Sequence, residues 1–142
     1  MSEIDRKRTK KETLLVWITN PAAAERIVSK AYDFAAEKGL DLKVVSVQKE
    51  TRDNWEDTLR DLERLEAAAT MCHAELTVVY SDDRFEAAKK LIRSERPVAM
   101  FAGVPDKGVA NRFADTLSIE YPSVVLYCVD SKGEVKEYGR NI

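Results

Sequence analysis

The segment FAGVPDKGVANRFADTLS, residues 101–118, carries the most specific chemical signal in the chain. Two glycines, Gly103 and Gly108, enclose a four-residue stretch that begins at Val104 and ends at Lys107. Glycines let a main chain approach a phosphate closely, and successive N–H groups of such a loop can converge on the phosphate oxygens. The segment therefore predicts one of two structures, a phosphate-binding loop or a plain turn between a strand and a helix.

The composition of this loop favours the plain turn. Pro105 has no N–H to donate, and Asp106 offsets the positive charge of Lys107. Four residues between the glycines also bring fewer amides together than a tight glycine loop does. We interpret the segment first as a structural turn and second as a phosphate cradle.

The bulk composition bounds the class of protein. The chain has 142 residues and a mass of 16.1 kDa, which suits one domain. A formal net charge of -2 gives no general attraction for nucleic acid or anionic lipid. No segment approaches the roughly 18 continuous apolar residues of a membrane span, and the N-terminus lacks an apolar signal core. We therefore expect a cytoplasmic protein that binds neither nucleic acid nor membrane.

The residues that commonly perform catalysis or bind metals are isolated in this sequence. Cys72 and Cys128 form no CxxC pair, and the single histidine, His73, stands where a helix should end. No serine, cysteine or lysine has the sequence context of an activated nucleophile. We expect no catalytic residue, no metal site and no enzymatic activity.

Two kinds of apolar segment alternate along the chain, one typical of buried strands and one typical of helices. Short continuous apolar runs suit strands buried on both faces of a parallel sheet, and each is followed by a segment of helical periodicity. Alternating strands and helices predict βαβ units with right-handed crossovers. The predicted strands cover residues 14–18, 42–47, 74–80, 98–102 and 124–129, and a turn leads to an antiparallel edge strand over 134–138.

This alternation predicts one three-layer α/β domain over residues 13–142, preceded by a flexible basic tail over residues 1–12. Trp17 and Trp55 are interpreted as core or interface aromatics. The second predicted helix should bury one apolar stripe, formed by Trp55, Leu59, Leu62, Leu65 and Ala69.

A ligand of an open parallel sheet binds beyond the carboxyl ends of its strands, where the strand order reverses. N–H groups at the starts of the following helices attract anions there. The candidate groups are therefore those that end or follow a predicted strand: Thr19, Asn20, Val47, Gln48, Ser81, Asp82 and the loop from Gly103 to Gly108.

Two stretches, LLVWITNPAAAERIVSKAYDFAAEKGLDLKVVSVQ and AELTVVYSDDRFEAAKKLIRSERPVAMFAG, resemble the βαβ units of universal stress proteins. The similarity covers roughly residues 13–129 and is nearest to the stress-protein-like domain of potassium-sensing histidine kinases. The resemblance implies a five-stranded parallel sheet in the order 3-2-1-4-5. It also implies that the turn after strand one lies beside the loop after strand four.

The resemblance also implies where a nucleotide would bind. ATP-binding members of the family have a glycine, two residues, a glycine, nine residues, and then Gly-Ser or Gly-Thr. Here four residues separate the glycines, and nine separate Gly108 from Ser118, which Leu117 precedes. The aspartate that the family places at the end of strand one is replaced by Ile18, Thr19 or Asn20. The expected nucleotide site is thus degenerate, with candidates Thr19, Asn20, Val47, Gly103, Val104, Lys107, Gly108 and Ser118.

Three functional hypotheses follow from the residues and the resemblance. The first is a non-enzymatic stress-response or signalling module without a cofactor, which acts through a protein partner and through homodimerisation by its last strand. If the C-terminal hairpin covers strand five, the dimer surface shifts to residues 134–138. The second is a sensor that binds ATP, AMP or a cyclic dinucleotide in the loops after strands one and four. The third is a flavodoxin-like or nucleotidyl-transferring enzyme.

Overall fold

The structure is a computed structural model that describes residues 11–49, 55–103 and 112–138. Strands and helices alternate in it as the sequence predicts, and a single 3-10 turn, Pro21–Ala23, precedes the first helix. The strands are β1 Thr13–Ile18, β2 Asp41–Gln48, β3 Glu75–Tyr80, β4 Ala99–Gly103, β5 Val125–Val129 and β6 Val135–Glu137. The helices are α1 Ala24–Lys38, α2 Trp55–Met71, α3 Arg84–Glu95 and α4 Arg112–Glu120.

The six strands form one sheet in the order β3-β2-β1-β4-β5-β6. β1 to β5 run parallel to their neighbours, and β6 pairs antiparallel with β5. The predicted strand order and the antiparallel edge strand are both confirmed. Because β6 covers the edge of β5, the outer edge of the sheet on this side is β6.

Local signals in the sequence determine where the helices begin and end. Asp83 caps α3, since its carboxylate accepts a hydrogen bond from the N–H of Glu86 at 3.0 Å. Gly39 ends α1 in the left-handed conformation, with φ of 71°, which an L-residue with a side chain adopts only at a cost. Aspartate before a first turn and glycine after a last turn are residue types that favour the start and the end of a helix.

The sheet is covered on both faces, so the domain has three layers. Leu14, Val16 and Ile18 of β1 pack against α1 and α2, whereas Leu15 and Trp17 pack against α3 and α4. Trp17 is only 1% exposed, its Nε1 lies 3.2 Å from the sulfur of Met100, and its ring meets Phe113 edge to face at 5.6 Å. The prediction that Trp17 is a core aromatic is confirmed.

The predicted apolar stripe of α2 is partly wrong. Leu65 and Ala69 are buried as expected, but Leu59 is 47% exposed. A helix turns 100° per residue, which places Leu59 about 120° around the axis from Leu65 and off the buried face. The side chain of Trp55, which the stripe also included, lies outside the described part of the structure.

Candidate functional site

The carboxyl ends of the parallel strands meet at one edge of the sheet. β1 pairs with β2 on one side and with β4 on the other, so the strand order reverses between β1 and β4. Thr19 and Asn20 follow β1 and are exposed, and Gly103 ends β4. The structure therefore places these three predicted site residues at the switch point, where a ligand of such a sheet binds.

The turn after β1 uses its own N–H groups internally. The side-chain oxygen of Asn20 accepts a hydrogen bond from the N–H of Ala22 at 3.1 Å, and its carbonyl accepts one from the N–H of Ala23 at 2.9 Å. The N–H of Ala24 donates to the carbonyl of Pro21. Pro21 itself has no N–H. Four successive positions of this turn thus offer no uncommitted main-chain donor to a phosphate.

A buried serine binds the carbonyl group of the last residue of β1. The hydroxyl of Ser46 is fully buried and donates to the carbonyl of Ile18 at 3.0 Å. The side-chain amide of Gln48 donates in turn to the Ser46 hydroxyl at 2.5 Å. Sequence reasoning missed Ser46, although a single serine within the apolar run Val44 to Val47 was a signal, since a buried hydroxyl needs a partner.

The side chain of Val47 points into the core. Val47 is 4% exposed and packs with the cluster of Trp17 on the face covered by α3 and α4. Alternation along β2 sends the side chains of Ser46 and Gln48 to the opposite face. Any part that Val47 plays in a site is therefore limited to its main chain.

Gly103 has a packing reason to be glycine. A Cβ atom at this position would lie 2.6 Å from Cδ1 of Ile27 on α1, closer than real carbon contacts. The absence of a side chain lets α1 approach the sheet where β4 ends. The predicted site residues Val104, Lys107 and Gly108 lie outside the described residues.

Ser118 lies within α4 and away from the turn after β1. Its hydroxyl donates to the carbonyl of Asp115 at 3.0 Å, and the helix begins six residues earlier, at Arg112. At 1.5 Å per residue, Ser118 lies about 9 Å along a helix that leads away from the carboxyl edge. The chain is already helical from Arg112 onward, so the structure does not bring Ser118 to the switch point.

Arg26 is a cation at the carboxyl edge that sequence reasoning did not select. Its Nε donates to the carbonyl of Asp130, the residue after β5, at 3.0 Å. The Asp130 carboxylate accepts from the N–H groups of Lys132 and Glu134, each at 2.9 Å. The N–H of Glu134, and then that of Lys132, lower the pKa of Asp130. The Arg26 bond attaches α1 to the turn between β5 and β6, and the two bonds of the Asp130 carboxylate hold that turn together.

Cys128 is a buried thiol, whereas His73 is an exposed imidazole. Burial, and to a lesser degree Asp115, raises the pKa of Cys128 to about 12. His73 is exposed at the end of α2. Within residues 11–49, 55–103 and 112–138, no three His, Cys, Asp or Glu side chains come together as a metal site. None of the helices described in those ranges is long and apolar enough to cross a membrane.

No protein-family model and no curated protein matches this sequence. Among solved structures, a universal stress protein from Archaeoglobus fulgidus superimposes with a TM-score of 0.65 at 17% identity, over 88% of this chain and 97% of that one. The chain has the fold of universal stress proteins. The universal stress protein of the same organism in complex with dAMP matches with a TM-score of 0.61 at 17% identity, over 84% and 97% of the two chains.

This chain is also similar in structure to part of an enzyme. The zinc-inhibited form of the teicoplanin deacetylase Orf2 matches with a TM-score of 0.62 at 10% identity, over 89% of this chain and 68% of that one. The fold alone therefore does not decide between binding and catalysis. The nearer likeness to a histidine kinase domain stays an interpretation of the sequence.

Proposed function

We propose that this universal-stress-like chain is a non-enzymatic signalling or stress-response module with a degenerate nucleotide site. It acts through dimerisation and protein partners. The observation that carries the proposal is the internal use of the polar main-chain groups after β1. The N–H groups of Ala22, Ala23 and Ala24 and the carbonyl of Ile18 all have partners within the domain.

A phosphate site at a strand end works because several N–H groups point outward and need an acceptor. Here a nucleotide would have to break hydrogen bonds of the turn before it could form its own. Each exchanged bond returns little free energy, since the net value of one hydrogen bond is about 1 kcal/mol. The turn after β1 therefore supports a side-chain contact through Thr19 or Asn20 better than a phosphate cradle.

Calorimetry of the purified protein with ATP, AMP, cAMP and a cyclic dinucleotide tests this proposal. We expect no binding heat at ligand concentrations up to the millimolar range. Saturable binding of any of the four would reject the degenerate-site part of the proposal and favour a nucleotide sensor.

The second candidate function is an adenine-nucleotide sensor, and two observations support it. One structural neighbour is a universal stress protein in complex with dAMP. Arg26 also places a guanidinium at the carboxyl edge, where Nε makes its one hydrogen bond within the described residues. A guanidinium binds phosphate well through two nitrogens. In this case the phosphate would be held by a side chain where the main-chain donors are already used.

The Arg26→Gln variant tests the sensor hypothesis if the wild-type protein binds a nucleotide. We expect the variant to lower the affinity for ATP by about tenfold and to lower the affinity for adenosine little, because only ATP carries phosphates. Lys90→Gln, an exposed change on α3, is the control. Equal losses for ATP and adenosine would show that Arg26 supports the fold and does not bind phosphate.

A further inference from the structure

We propose that the outer edge of β3 binds an extended, basic segment of a partner protein by strand addition. This inference rests on the protein partner in the proposed function and specifies its surface and its chemistry. Among the described strands, β3 ends the sheet on the side opposite to β6, and only β2 pairs with it. A strand at the end of a sheet presents main-chain donors and acceptors to a further strand.

A hydrogen bond at the end of β3 determines which main-chain groups point outward. The N–H of Ser81 donates to the carbonyl of Gln48 at 2.8 Å, so Ser81 directs its main chain toward β2. Successive residues of a strand direct their N–H and C=O groups to alternate sides. Leu76, Val78 and Tyr80 therefore direct theirs away from β2. We call the outward N–H and C=O groups of these three residues the β3 edge.

β3 lacks the features that usually prevent a sheet edge from pairing. Its six residues, ELTVVY, contain no proline, lysine or arginine, and each of them is at least partly exposed. Its register with β2 is continuous, without a bulge. Proline, lysine, bulges and very short strands are the common protections of such an edge. The two valines and the threonine also favour extended structure, so β3 can accept another strand.

Exposed apolar side chains stand beside the β3 edge. Leu62 of α2 lines a small cleft together with Val78 and Tyr80. Leu59 lies about 60° further around the helix axis than Leu62, on the side away from Leu65. Leu59 is 47% exposed, and Tyr80 is 49% exposed. An added strand would cover both side chains, so the burial of apolar surface would contribute to binding.

This side of α2 also carries negative charge. Glu63 and Glu66 each follow one of the two leucines by four residues, so they lie on the same side of the helix, and both are exposed. A third exposed carboxylate, that of Glu75, lies at the start of β3, with the ammonium of Lys43 4.0 Å away. Lysine and arginine side chains of a bound segment would complement this surface.

The two arginines of α2 do not offset these carboxylates. Arg60 pairs with Asp57 at 3.2 Å. Arg64 lines a cleft with Pro21 and Glu25, on the side of α2 that faces the start of α1. Both guanidinium groups thus lie away from Leu59, and the surface beside the β3 edge is acidic.

The same charges oppose the pairing of two copies at this edge. Antiparallel pairing about a two-fold axis would place α2 of both copies side by side on one face of the joined sheet. Glu63 and Glu66 of one copy would then confront the same residues of the other, and like charges at close range repel. A basic segment of a different protein has no such conflict.

Calorimetry with two synthetic peptides tests the inference. Each peptide has about seven residues, which matches the length of β3. The first alternates lysine with valine and the second alternates glutamate with valine, and both are acetylated and amidated to remove the terminal charges. We expect the lysine peptide to bind with a dissociation constant of about 0.1–1 mM, and the glutamate peptide to bind at least about tenfold more weakly. Equal binding of the two peptides would overturn the proposed chemistry of the partner.

Residue-resolved amide exchange distinguishes strand addition from a general attraction between charges. The N–H groups of Leu76, Val78 and Tyr80 should exchange about tenfold more slowly in the complex with the lysine peptide, because the added strand accepts their hydrogen bonds. The N–H groups of Thr77 and Val79 point toward β2 and should change little. Binding that leaves exchange at the β3 edge unchanged would overturn strand addition.

A charge-reversed variant tests the acidic surface. Glu63→Lys combined with Glu66→Lys should weaken binding of the lysine peptide by about tenfold. Glu37→Lys combined with Glu120→Lys is the matched control, because it changes the net charge equally at exposed positions of α1 and α4. The control should alter the affinity by less than about threefold. Equal losses in the two double variants would show that net charge alone attracts the peptide, and would overturn the inference.

The outcomes distinguish failure of this inference from failure of the proposed function. No binding of the lysine peptide would overturn the β3 edge as a peptide site. Exchange at the β3 edge that slows as the free protein is concentrated would also overturn it, and would assign the edge to a second copy. The proposed function would stand in both cases. Saturable binding of a nucleotide would reject the degenerate-site part of the proposed function and leave the inference about the β3 edge intact.

Discussion

At the scale of single residues, Gly103 shows why a glycine at a strand end is weak support for a phosphate loop. A Cβ atom at Gly103 would lie 2.6 Å from Cδ1 of Ile27, so the packing of Ile27 leaves little room for a side chain at this position. Gly103→Ala should therefore destabilise the fold by about 1–3 kcal/mol through overpacking. Ile27→Val removes Cδ1, so the double variant should lose less stability than the sum of the two single variants. Urea unfolding of the four proteins measures this coupling, and strict additivity would show that Ile27 is not the obstacle.

Because of Cys128, the free energy of unfolding should depend on pH in the alkaline range. Burial raises the pKa of its thiol from an ordinary value of 9.0 to about 12 in the folded state. The folded protein thus holds the proton more tightly than the unfolded chain, and the contribution is complete below pH 9.0 and lost as the pH rises toward about 12. Unfolding of the wild type and of Cys128→Ala across this window checks the prediction. The variant should show a shallower decline, and parallel curves would contradict it.

Residues that act locally could be predicted from the sequence, and residues that act across the fold could not. The cap at Asp83 and the stop at Gly39 follow from their immediate neighbours. Arg26 binds the carbonyl of Asp130, 104 residues away in the sequence. Ser46 binds the carbonyl of Ile18, 28 residues away. Such partners are known only when the strand order and register are known.

At the scale of elements, the C-terminal hairpin is the feature that most changes the expected surface of the domain. The sequence predicts an edge strand at residues 134–138, and the structure confirms that β6 covers β5. Because the side chains of β6 are exposed, its attachment depends on main-chain bonds and on the contact between Tyr138 and Asp115. A small hairpin of this kind gains little from burial.

Removing the hydroxyl of Tyr138 should loosen the hairpin. Tyr138→Phe should cost about 1 kcal/mol and speed amide exchange at Lys136 and Tyr138, because a hydrogen bond to a carboxylate is lost. Tyr121→Phe is the control, since the hydroxyl of Tyr121 makes no hydrogen bond within the described residues. Equal exchange in the two variants would show that the Tyr138 hydroxyl does not hold β6.

Helix faces were predicted less well than helix positions. The spacing of leucines predicted the position of α2 but not the direction of its buried face. Leu59 lies outside the contact with the sheet. An amphipathic stripe can be wider than the surface it packs on. The sequence alone does not contain the tilt of a helix over its sheet.

At the scale of the whole molecule, the alternation of continuous apolar runs with apolar residues at helical spacing was sufficient to predict the class of fold. Short apolar runs separated by amphipathic helices allow few arrangements, and the resemblance to universal stress proteins supplied the strand order. The site was less predictable, because glycine spacing does not reveal whether the nearby N–H groups are already bonded. In the neighbouring turn after β1, the N–H groups of Ala22, Ala23 and Ala24 all have partners within the domain.

We propose that this domain acts through contacts between proteins and not through a bound nucleotide. Native mass spectrometry of gently purified protein tests both parts in one measurement. We expect a species of twice the 16.1 kDa chain mass at high micromolar concentration, with no additional mass of a nucleotide. A monomer that carries the mass of an adenine nucleotide would contradict it.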